Sequence, residues 1–443
     1  MNMKQHFFCT TALLLVAVTT VANGPTLYGQ VPAGKRDVPQ FEVDPNFFKL
    51  PNGWKFAQVS SVACDSHDNV WVFQRPLTVY SDQKTGPAVM EFDPKGKYVR
   101  GWGGKDYGAG VGPEKGFQWP EEEHGISIDK QDHVWITGNW NDDQIYKFTV
   151  EGKLIKQFGN SAGGYKKTNA DTENFWMPAA AVVDPKTNEL FVADGYGNNR
   201  VIVIDAETGA FKRMWGAFGN APKDIPPRAT DIRKDMKEDK RFGGAEQFRT
   251  EYFLDGGKEH PNETTAGQPP YPPAPAMDPN DPGPKQFNLV HDLKLSNDGL
   301  VYVADRRNMR VQVFSTDGKF LKSVFVDRWC ATSCAGTNTQ TAGSIGFSGD
   351  SEQRFLYIGS RTPAQIWVYD RKTMTPLYAF GRPGIAPGEF LSFHELSTDS
   401  KGNLYTADLE GHRAEKFAFK GLAQHEIDGK GNLMDTGGLV KVR

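Results

Sequence analysis

The chain has 443 residues, of which 38% are hydrophobic, and its formal net charge is -3 at pH 7. This length and apolar content suffice for a large buried core. The near-neutral charge excludes the strongly basic surface typical of nucleic-acid-binding domains and of proteins held on acidic membranes. Aromatic residues at 12% and 47 glycines favour an all-β repeat protein.

Residues 1–23 have the layout of a secretory signal peptide. Lys4 precedes an apolar run from Phe7 to Val21, and Thr20-Val21-Ala22 offers small residues for cleavage. The apolar run is short for a membrane span, although an uncleaved anchor is the alternative. We therefore expect a secreted or periplasmic protein with no membrane span after signal removal.

Residues 58–421 contain six copies of one β-rich unit. The copy from Phe287 to Phe325 shows it best, because hairpin turns at Asn297-Asp298-Gly299 and Asp317-Gly318 separate β-type runs. The four runs of this copy are Leu289 to Leu295, Leu300 to Asp305, Val311 to Ser315 and Phe320 to Phe325. Four antiparallel strands in about forty residues form one propeller blade, and six copies predict a six-bladed β-propeller.

The other copies are recognised by an aromatic residue that opens the second strand. In chain order these strands begin at Trp71, Trp135, Phe191, Tyr302, Tyr357 and Tyr405. Closure of the ring requires the two ends of the chain to share a blade. Within residues 24–57, which we expect to be a linker, the β-like piece from Phe41 to Phe56 is one candidate for this closing strand. The segment after Gly421 is the other, in a C-terminal tail of residues 422–443.

The spacing between blades three and four is too long for a turn. The excess, about residues 220–286, is polar and proline-rich without sustained alternation, and we predict a surface insertion rather than a seventh blade. Two cysteines, Cys330 and Cys334, follow blade four in a Ser/Thr/Gly loop. An oxidising compartment favours a local disulfide between them, and two free thiols are the alternative. Cys64 lies in an apolar strand, where we expect a small buried side chain.

Histidine recurs at one position of the repeat. The residue five before the first hairpin turn is His124 in blade two, His291 in blade four and His394 in blade six. The corresponding residues of blades one, three and five are small: Ser60, Ala179 and about Gly343. Because the first strand of each blade lines the central channel, the three histidines should form a threefold tripod around the axis.

Three imidazoles with an open fourth position are the usual layout of catalytic zinc. The alternative is that the histidines hydrogen-bond only with one another or with water. The sequence has no nucleophile elbow, phosphate-binding glycine loop or haem-attachment motif, so no organic cofactor is predicted.

Side chains that follow the second strand of a blade should overhang the same mouth of the channel as the histidines, because adjacent strands are antiparallel. Arg75 in blade one and Tyr196 in blade three occupy this place. Arg306 and Arg361 follow second strands as well, so an ordinary surface arginine is the alternative interpretation of Arg75.

These residues resemble a known family, the peptidyl-α-hydroxyglycine α-amidating lyases, which are six-bladed propellers of the NHL-repeat class. The segments that carry the resemblance are Val59 to Arg75, His124 to Asp129, Ala193 to Arg200 and Val290 to Asp292. The resemblance implies that His124, His291 and His394 bind zinc.

The resemblance implies further roles as well. Tyr196 would be the general base, and Arg75 would hold the substrate or its developing charge. The backbone carbonyls of Val62 and Ile126 and the side chain of Glu395 would bind a structural calcium ion. The sequence departs from the family at Glu395, where the family has aspartate, and at Gly197, where the family has a disulfide cysteine.

The predicted activity is that of a peptidylamidoglycolate lyase, a carbon-nitrogen lyase that acts on a small molecule or a peptide C-terminus and releases an amide and glyoxylate. Two alternatives stay open. One is a non-catalytic NHL-repeat propeller that binds a protein or glycan, and the other is a different metal-assisted hydrolase on the same scaffold. We expect a monomer.

Overall fold

The computed structural model describes residues 34–104, 119–139, 142–160, 167–224, 281–328, 341–361, 364–427 and 440–442. In this part of the chain the fold is all-β apart from three 3₁₀ helices, at Pro76–Thr78, Ala217–Gly219 and Arg306–Asn308. The strands form six sheets, each built on four antiparallel strands. The predicted six-bladed β-propeller is therefore confirmed. No helix within these ranges is long and apolar enough to cross a membrane.

The first strand of the chain, β1 (Gly34–Asp44), belongs to the last blade, and the next twelve strands form blades one to three in chain order. Blade one comprises β2 (Gln58–Cys64), β3 (Val70–Arg75), β4 (Val89–Phe92) and β5 (Tyr98–Trp102). Blade two comprises β6 (Glu122–Ile128), β7 (Val134–Asn139), β8 (Gln144–Phe148) and β9 (Leu154–Gly159). Blade three comprises β10 (Ala180–Val183), β11 (Glu189–Asp194), β12 (Arg200–Asp205) and β13 (Phe211–Trp215).

Blades four and five repeat this order, and blade six combines both ends of the described chain. Blade four comprises β14 (Val290–Leu295), β15 (Leu300–Asp305), β16 (Arg310–Ser315) and β17 (Phe320–Phe325). Blade five comprises β18 (Ser344–Phe347), β19 (Phe355–Ser360), β20 (Gln365–Asp370) and β21 (Thr375–Phe380). Blade six comprises β22 (Phe393–Thr398), β23 (Leu404–Asp408), β24 (Arg413–Ile427), then β1 and β25 (Val440–Val442).

The ring is closed by β1, which pairs antiparallel with β24 as the fourth strand of blade six. This strand begins before the predicted β-like piece and ends at Asp44. The segment after Gly421 takes part as well, because β24 continues to Ile427 and β25 pairs parallel with β1.

An aspartate at the first hairpin explains why several blades share one register. In blade two, the carboxylate of Asp129 accepts hydrogen bonds from the backbone N–H groups of Gln131 and His133, both at 2.9 Å. Its other oxygen accepts the indole N–H of Trp135 at 2.9 Å, which anchors the aromatic residue that opens the second strand. Asp65 with Trp71 and Asp399 with Tyr405 repeat the arrangement. The turn and the aromatic signature are therefore parts of one local structure.

The apolar core consists of six clusters, and each lies between two neighbouring blades. Between blades one and two, Trp71 and Trp102 pack with Ile136. Between blades six and one, Tyr405 packs with Val62 and Phe92. Because each blade buries its faces only against its neighbours, the core holds the inner strands at fixed positions around the channel.

Several predictions concern residues outside the described ranges. These are the signal peptide at 1–23, the pair Cys330 and Cys334, and most of the insertion at 220–286. Cys64 is free and partly buried, and burial raises the pKa of its thiol.

Candidate metal centre

His124, His291 and His394 occupy equivalent places near the start of the inner strands β6, β14 and β22. At each of them the pairing with the second strand shifts by one residue, so that the histidine is left out of the regular ladder. Such a bulge changes the direction in which a side chain points. The three side chains meet at the channel axis, where their ligand nitrogens all lie within 4.8 Å of one another.

The three imidazole rings form a nearly regular triangle. Their centroids lie 5.1 Å apart for His124 and His291, 4.8 Å for His124 and His394, and 4.9 Å for His291 and His394. All three residues are buried. We call this set of histidines the histidine layer.

The neighbouring blades fix the orientation of each ring. Nδ1 of His124 lies 2.8 Å from the carbonyl oxygen of Ala179, and Nδ1 of His291 lies 2.7 Å from that of Gly343. For His394 the partner is the carbonyl oxygen of Ser60, at 2.5 Å. A carbonyl can only accept, so each Nδ1 carries the hydrogen and each Nε2 keeps a free lone pair for a ligand.

These three acceptors are the small residues that take the place of histidine in blades one, three and five. Their backbone carbonyls hold the imidazoles of the preceding blade.

Burial keeps the histidine layer uncharged. Loss of hydration lowers the pKa of His124 to about 3, and Arg75 lowers it further. The same cause takes the pKa values of His291 and His394 well below the usual range. Neutral imidazole is the form that binds a metal ion, so the layer needs no deprotonation at physiological pH.

Tyr196 follows β11 and places its phenol against the histidine layer. The hydroxyl oxygen lies 3.0 Å from Nε2 of His124 and 3.1 Å from Nε2 of His291. Because both nitrogens are acceptors, the phenol can donate its one proton to either. Burial raises the pKa of Tyr196, while the charge of Arg306 opposes the rise more than any other neighbour.

Arg75 is held by blade two. Its Nη2 forms an ion pair of 2.7 Å with Glu122, and its Nε donates to the carbonyl oxygen of Glu123 at 3.0 Å. Glu123 directly precedes His124, and the positive charge of Arg75 lowers the pKa values of His124 and His394. The structure therefore distinguishes it from an ordinary surface arginine.

Arg306 is a residue of the site that sequence reasoning did not assign. Its Nη1 donates to the Tyr196 hydroxyl at 3.2 Å, and the residue is buried. Burial lowers the pKa of Arg306 to about 10, which leaves the guanidinium charged at neutral pH. Its buried Nε has no hydrogen-bond partner among the described residues. In the sequence, the feature that could have assigned Arg306 to the site is its position directly after a second strand, the same position as that of Arg75.

The histidine layer fits zinc. It offers three neutral nitrogen donors, each with its other ring nitrogen hydrogen-bonded in the manner usual for metal-ligating histidines.

The residues implied for calcium lie in three different inner strands, with Val62 in β2, Ile126 in β6 and Glu395 in β22. The Glu395 carboxylate turns toward blade four, where Oε1 lies 3.3 Å from Nδ1 of His291. Asp292 and Lys294 of the same blade surround it. These surroundings do not fit calcium, because an ammonium group already faces the carboxylates. We call Asp292, Lys294 and Glu395 the charged layer.

The NHL repeat family model matches residues 287–314, which include β14, β15 and most of β16. The chain is 25% identical over 331 residues to peptidylglycine alpha-amidating monooxygenase of Rattus norvegicus, covering 62% of this chain and 32% of that protein. It thus spans about a third of the length of the first curated relatives it matches.

Shorter relatives match as well. A probable peptidyl-alpha-hydroxyglycine alpha-amidating lyase of Caenorhabditis elegans is 24% identical over 255 residues, covering 53% of this chain and 68% of that protein. Among solved structures, a catalytically inactive virginiamycin B lyase of Staphylococcus aureus has a TM-score of 0.42 at 11% identity, covering 92% of this chain and 90% of that chain. The chain is a six-bladed β-propeller with one match to the NHL repeat model, and it is similar in sequence to the peptidyl-alpha-hydroxyglycine alpha-amidating lyases.

Proposed function

We propose that this protein is a secreted zinc-dependent lyase. It cleaves the N–C bond of a peptidyl-α-hydroxyglycine-type carbinolamide and releases an amide and glyoxylate. The observation that carries the proposal is the convergence of three oriented, neutral imidazoles with one phenol and the buried guanidinium group of Arg306. The names of the relatives favour this chemistry over other uses of a metal site.

His124, His291 and His394 would hold the zinc ion. Bound zinc would supply the positive charge that lowers the pKa of the substrate hydroxyl and that of the nearby phenol. The backbone carbonyls behind the imidazoles keep the three rings in place during turnover.

Tyr196 is the residue placed to take the proton of the substrate hydroxyl. Its oxygen lies within 3.1 Å of two imidazoles, so a hydroxyl bound near them is within hydrogen-bond reach. In the site without an added cation, burial raises the pKa of Tyr196, so the phenol keeps its proton at neutral pH. Transfer of the proton to Tyr196 therefore depends on positive charge brought in on binding.

The reaction itself moves one proton and breaks one bond. The hydroxyl of the carbinolamide loses its proton, the C–O bond becomes the C=O bond of glyoxylate, and the C–N bond breaks. The leaving nitrogen takes a proton and becomes the amide nitrogen, so no oxidant or reductant is needed.

Arg75 and Arg306 can hold the substrate carboxylate. A guanidinium group binds a carboxylate through two parallel N–H groups, which fixes the substrate orientation. The buried Nε of Arg306 is suited to this task, because it has no partner among the described residues. Arg75 is bound to Glu122 and would share its charge between that residue and the substrate.

The first test is glyoxylate release from N-benzoyl-α-hydroxyglycine by the purified protein, assayed after chelation and again after zinc is restored. We expect release that depends on zinc and yields one benzamide for each glyoxylate. A folded, zinc-loaded protein that releases no glyoxylate would overturn the proposal in favour of a binding propeller or another metal-assisted reaction.

Export is proposed on the basis of residues 1–23. N-terminal sequencing of the protein recovered outside the cytoplasm tests it, and a chain that retains those residues would contradict cleavage.

A further inference from the structure

The charged layer lies next to the histidine layer, further along the inner strands of blades four and six. Asp292 and Lys294 belong to β14, and Glu395 belongs to β22. Each of these residues comes within a few positions of a histidine of the tripod, yet the mechanism uses none of them.

Both oxygens of Asp292 are engaged. The ammonium nitrogen of Lys294 lies 2.9 Å from Oδ1, and the backbone N–H of Ile345 in blade five donates to Oδ2 at 2.8 Å. The Asp292 side chain is buried, whereas that of Lys294 keeps 27% of its surface exposed. The ion pair thus lies within blade four, and the hydrogen bond from Ile345 joins its carboxylate to blade five.

Glu395 is drawn into the same group. Its Oε1 lies 3.3 Å from Nδ1 of His291, and its carboxyl group hydrogen-bonds to that of Asp292. The positive charge of Lys294 acts on Glu395 as well. Asp292 thus connects the ammonium group of Lys294 in blade four with the carboxyl group of Glu395 in blade six.

We propose that the ammonium group of Lys294 is the resident cation of this channel and takes the place of a structural calcium ion. Calcium needs six to eight oxygen donors, with carboxylates foremost among them. Here the carboxylates available are already bound to Lys294, to a backbone N–H group and to each other. A divalent ion at Glu395 would have to displace the ammonium group or lie beside it. In the second case the two positive charges would repel each other.

The inference is independent of the reaction that the histidine layer performs. It predicts that blades four and five stay joined without calcium, because the Asp292 carboxylate, paired with Lys294, already accepts the backbone N–H of Ile345 in blade five.

Calcium binding to the full-length protein tests the proposal. Calorimetric titration with calcium chloride, together with thermal denaturation and measurement of metal content, should show no calcium bound to the unaltered protein at about 1 mM free ion. Imidazole nitrogens are poor donors for calcium, so the histidine layer does not contribute to this signal.

The variant Lys294→Met should bind calcium, which the unaltered protein should not bind. Removal of the ammonium group leaves two carboxyl groups facing each other, so we expect one calcium ion per chain with a dissociation constant between roughly 10⁻⁵ and 10⁻³ M. The melting temperature of this variant should then rise with calcium concentration. Lys322→Met, a change to another lysine of blade four, is the matched control and should remain insensitive to calcium.

Two results would overturn the proposal: stoichiometric calcium in the unaltered protein with a rise in its melting temperature, or a folded Lys294→Met variant with no gain in calcium binding. If Lys294→Met does not fold without calcium but folds with it, the proposal is supported. If it folds under neither condition, the titration of the unaltered protein and of Lys294→Arg decides, since both keep the charge and both should ignore calcium.

Discussion

The histidine layer and the charged layer occupy neighbouring steps of the same inner strands but are built in different ways. The histidine layer is threefold, with one imidazole from every second blade and a backbone carbonyl from each blade between. The charged layer has no such symmetry, because its three side chains come from blades four and six only.

The two layers also differ in charge. The histidines carry no charge of their own and direct their lone pairs to one point, so any cation there has to come from solution. In the charged layer, Lys294 supplies the cation from within the chain. One propeller channel thus combines a layer of three neutral nitrogen donors with a layer that contains its own ammonium group.

The largest effect should come from breaking the histidine layer. His394→Ala removes one of three donors, so zinc content should fall below one ion per chain. Turnover should drop by more than the roughly 10- to 100-fold that follows loss of a hydrogen-bond partner behind a ligand. Metal analysis and the glyoxylate assay measure the two effects. His67→Ala, at an exposed hairpin, should retain both zinc and activity; equal losses in the two variants would speak against the tripod as the zinc site.

The next largest effect should follow Tyr196→Phe, which keeps the ring and removes the hydroxyl. A general base contributes about 10²- to 10⁴-fold to a rate, so kcat should fall within that range. Zinc content should stay unchanged, because the phenol is not among the imidazole donors. Tyr98→Phe, in the outer strand of blade one, controls for loss of a hydroxyl elsewhere. Unchanged turnover in Tyr196→Phe would remove the tyrosine from the mechanism.

Arg306→Met should move the pH dependence of the reaction. The charge of Arg306 lowers the pKa of Tyr196, so its loss should raise that pKa and shift the rising limb of kcat/KM to higher pH, by about one unit. Arg361 acts on Tyr196 more weakly than Arg306, so Arg361→Met should shift the limb less. A shift toward lower pH, or an equal shift in both variants, would contradict this role of Arg306.

The charged layer is better probed by stability than by rate. Asp292→Asn keeps an oxygen for the N–H group of Ile345 but removes the negative charge opposite Lys294. We expect a loss of about 1–3 kcal/mol in the free energy of unfolding, with the zinc content unchanged. Chemical denaturation followed by metal analysis separates the two properties, and a loss of zinc as large as that in His394→Ala would show that the layers are not independent.

The smallest effect is expected for Ser60→Ala. His394 is held by the backbone carbonyl of Ser60, which alanine retains, and the Ser60 hydroxyl itself donates only to the carbonyl oxygen of Phe73. Zinc affinity should change by less than about twofold, with a stability loss near 1 kcal/mol. A large loss of zinc would show that the side chain, rather than the backbone, orients the ring.

The blades could be predicted from sequence because turn chemistry and strand pattern agree in each repeat. In blade four the predicted strands match β14 to β17 within one residue. The placement of the histidines could be predicted for the same reason: a residue at a fixed distance from the first hairpin turn, which begins with Asp129, Ser296 or Asp399, has a fixed height in the channel.

The acceptors behind the histidines could not be predicted in the same way. A backbone carbonyl is present at every residue, so Ser60, Ala179 and Gly343 carry no sign of that role in their side chains. Arg306 was overlooked because several arginines follow second strands, and only burial against Tyr196 distinguishes it. The pairing of Lys294 with Asp292 could be predicted in part, since side chains two residues apart in a strand lie on one face, but the approach of Glu395 from blade six could not.

The hydrogen bond between His394 and Ser60 joins residues 334 positions apart in the chain. Blade one is synthesised long before His394. The carbonyl group of Ser60 therefore has no histidine partner until nearly the whole propeller has been synthesised. The three histidines are therefore all held in place only after blades one and six have packed together. Zinc uptake during refolding should follow ring closure rather than precede it.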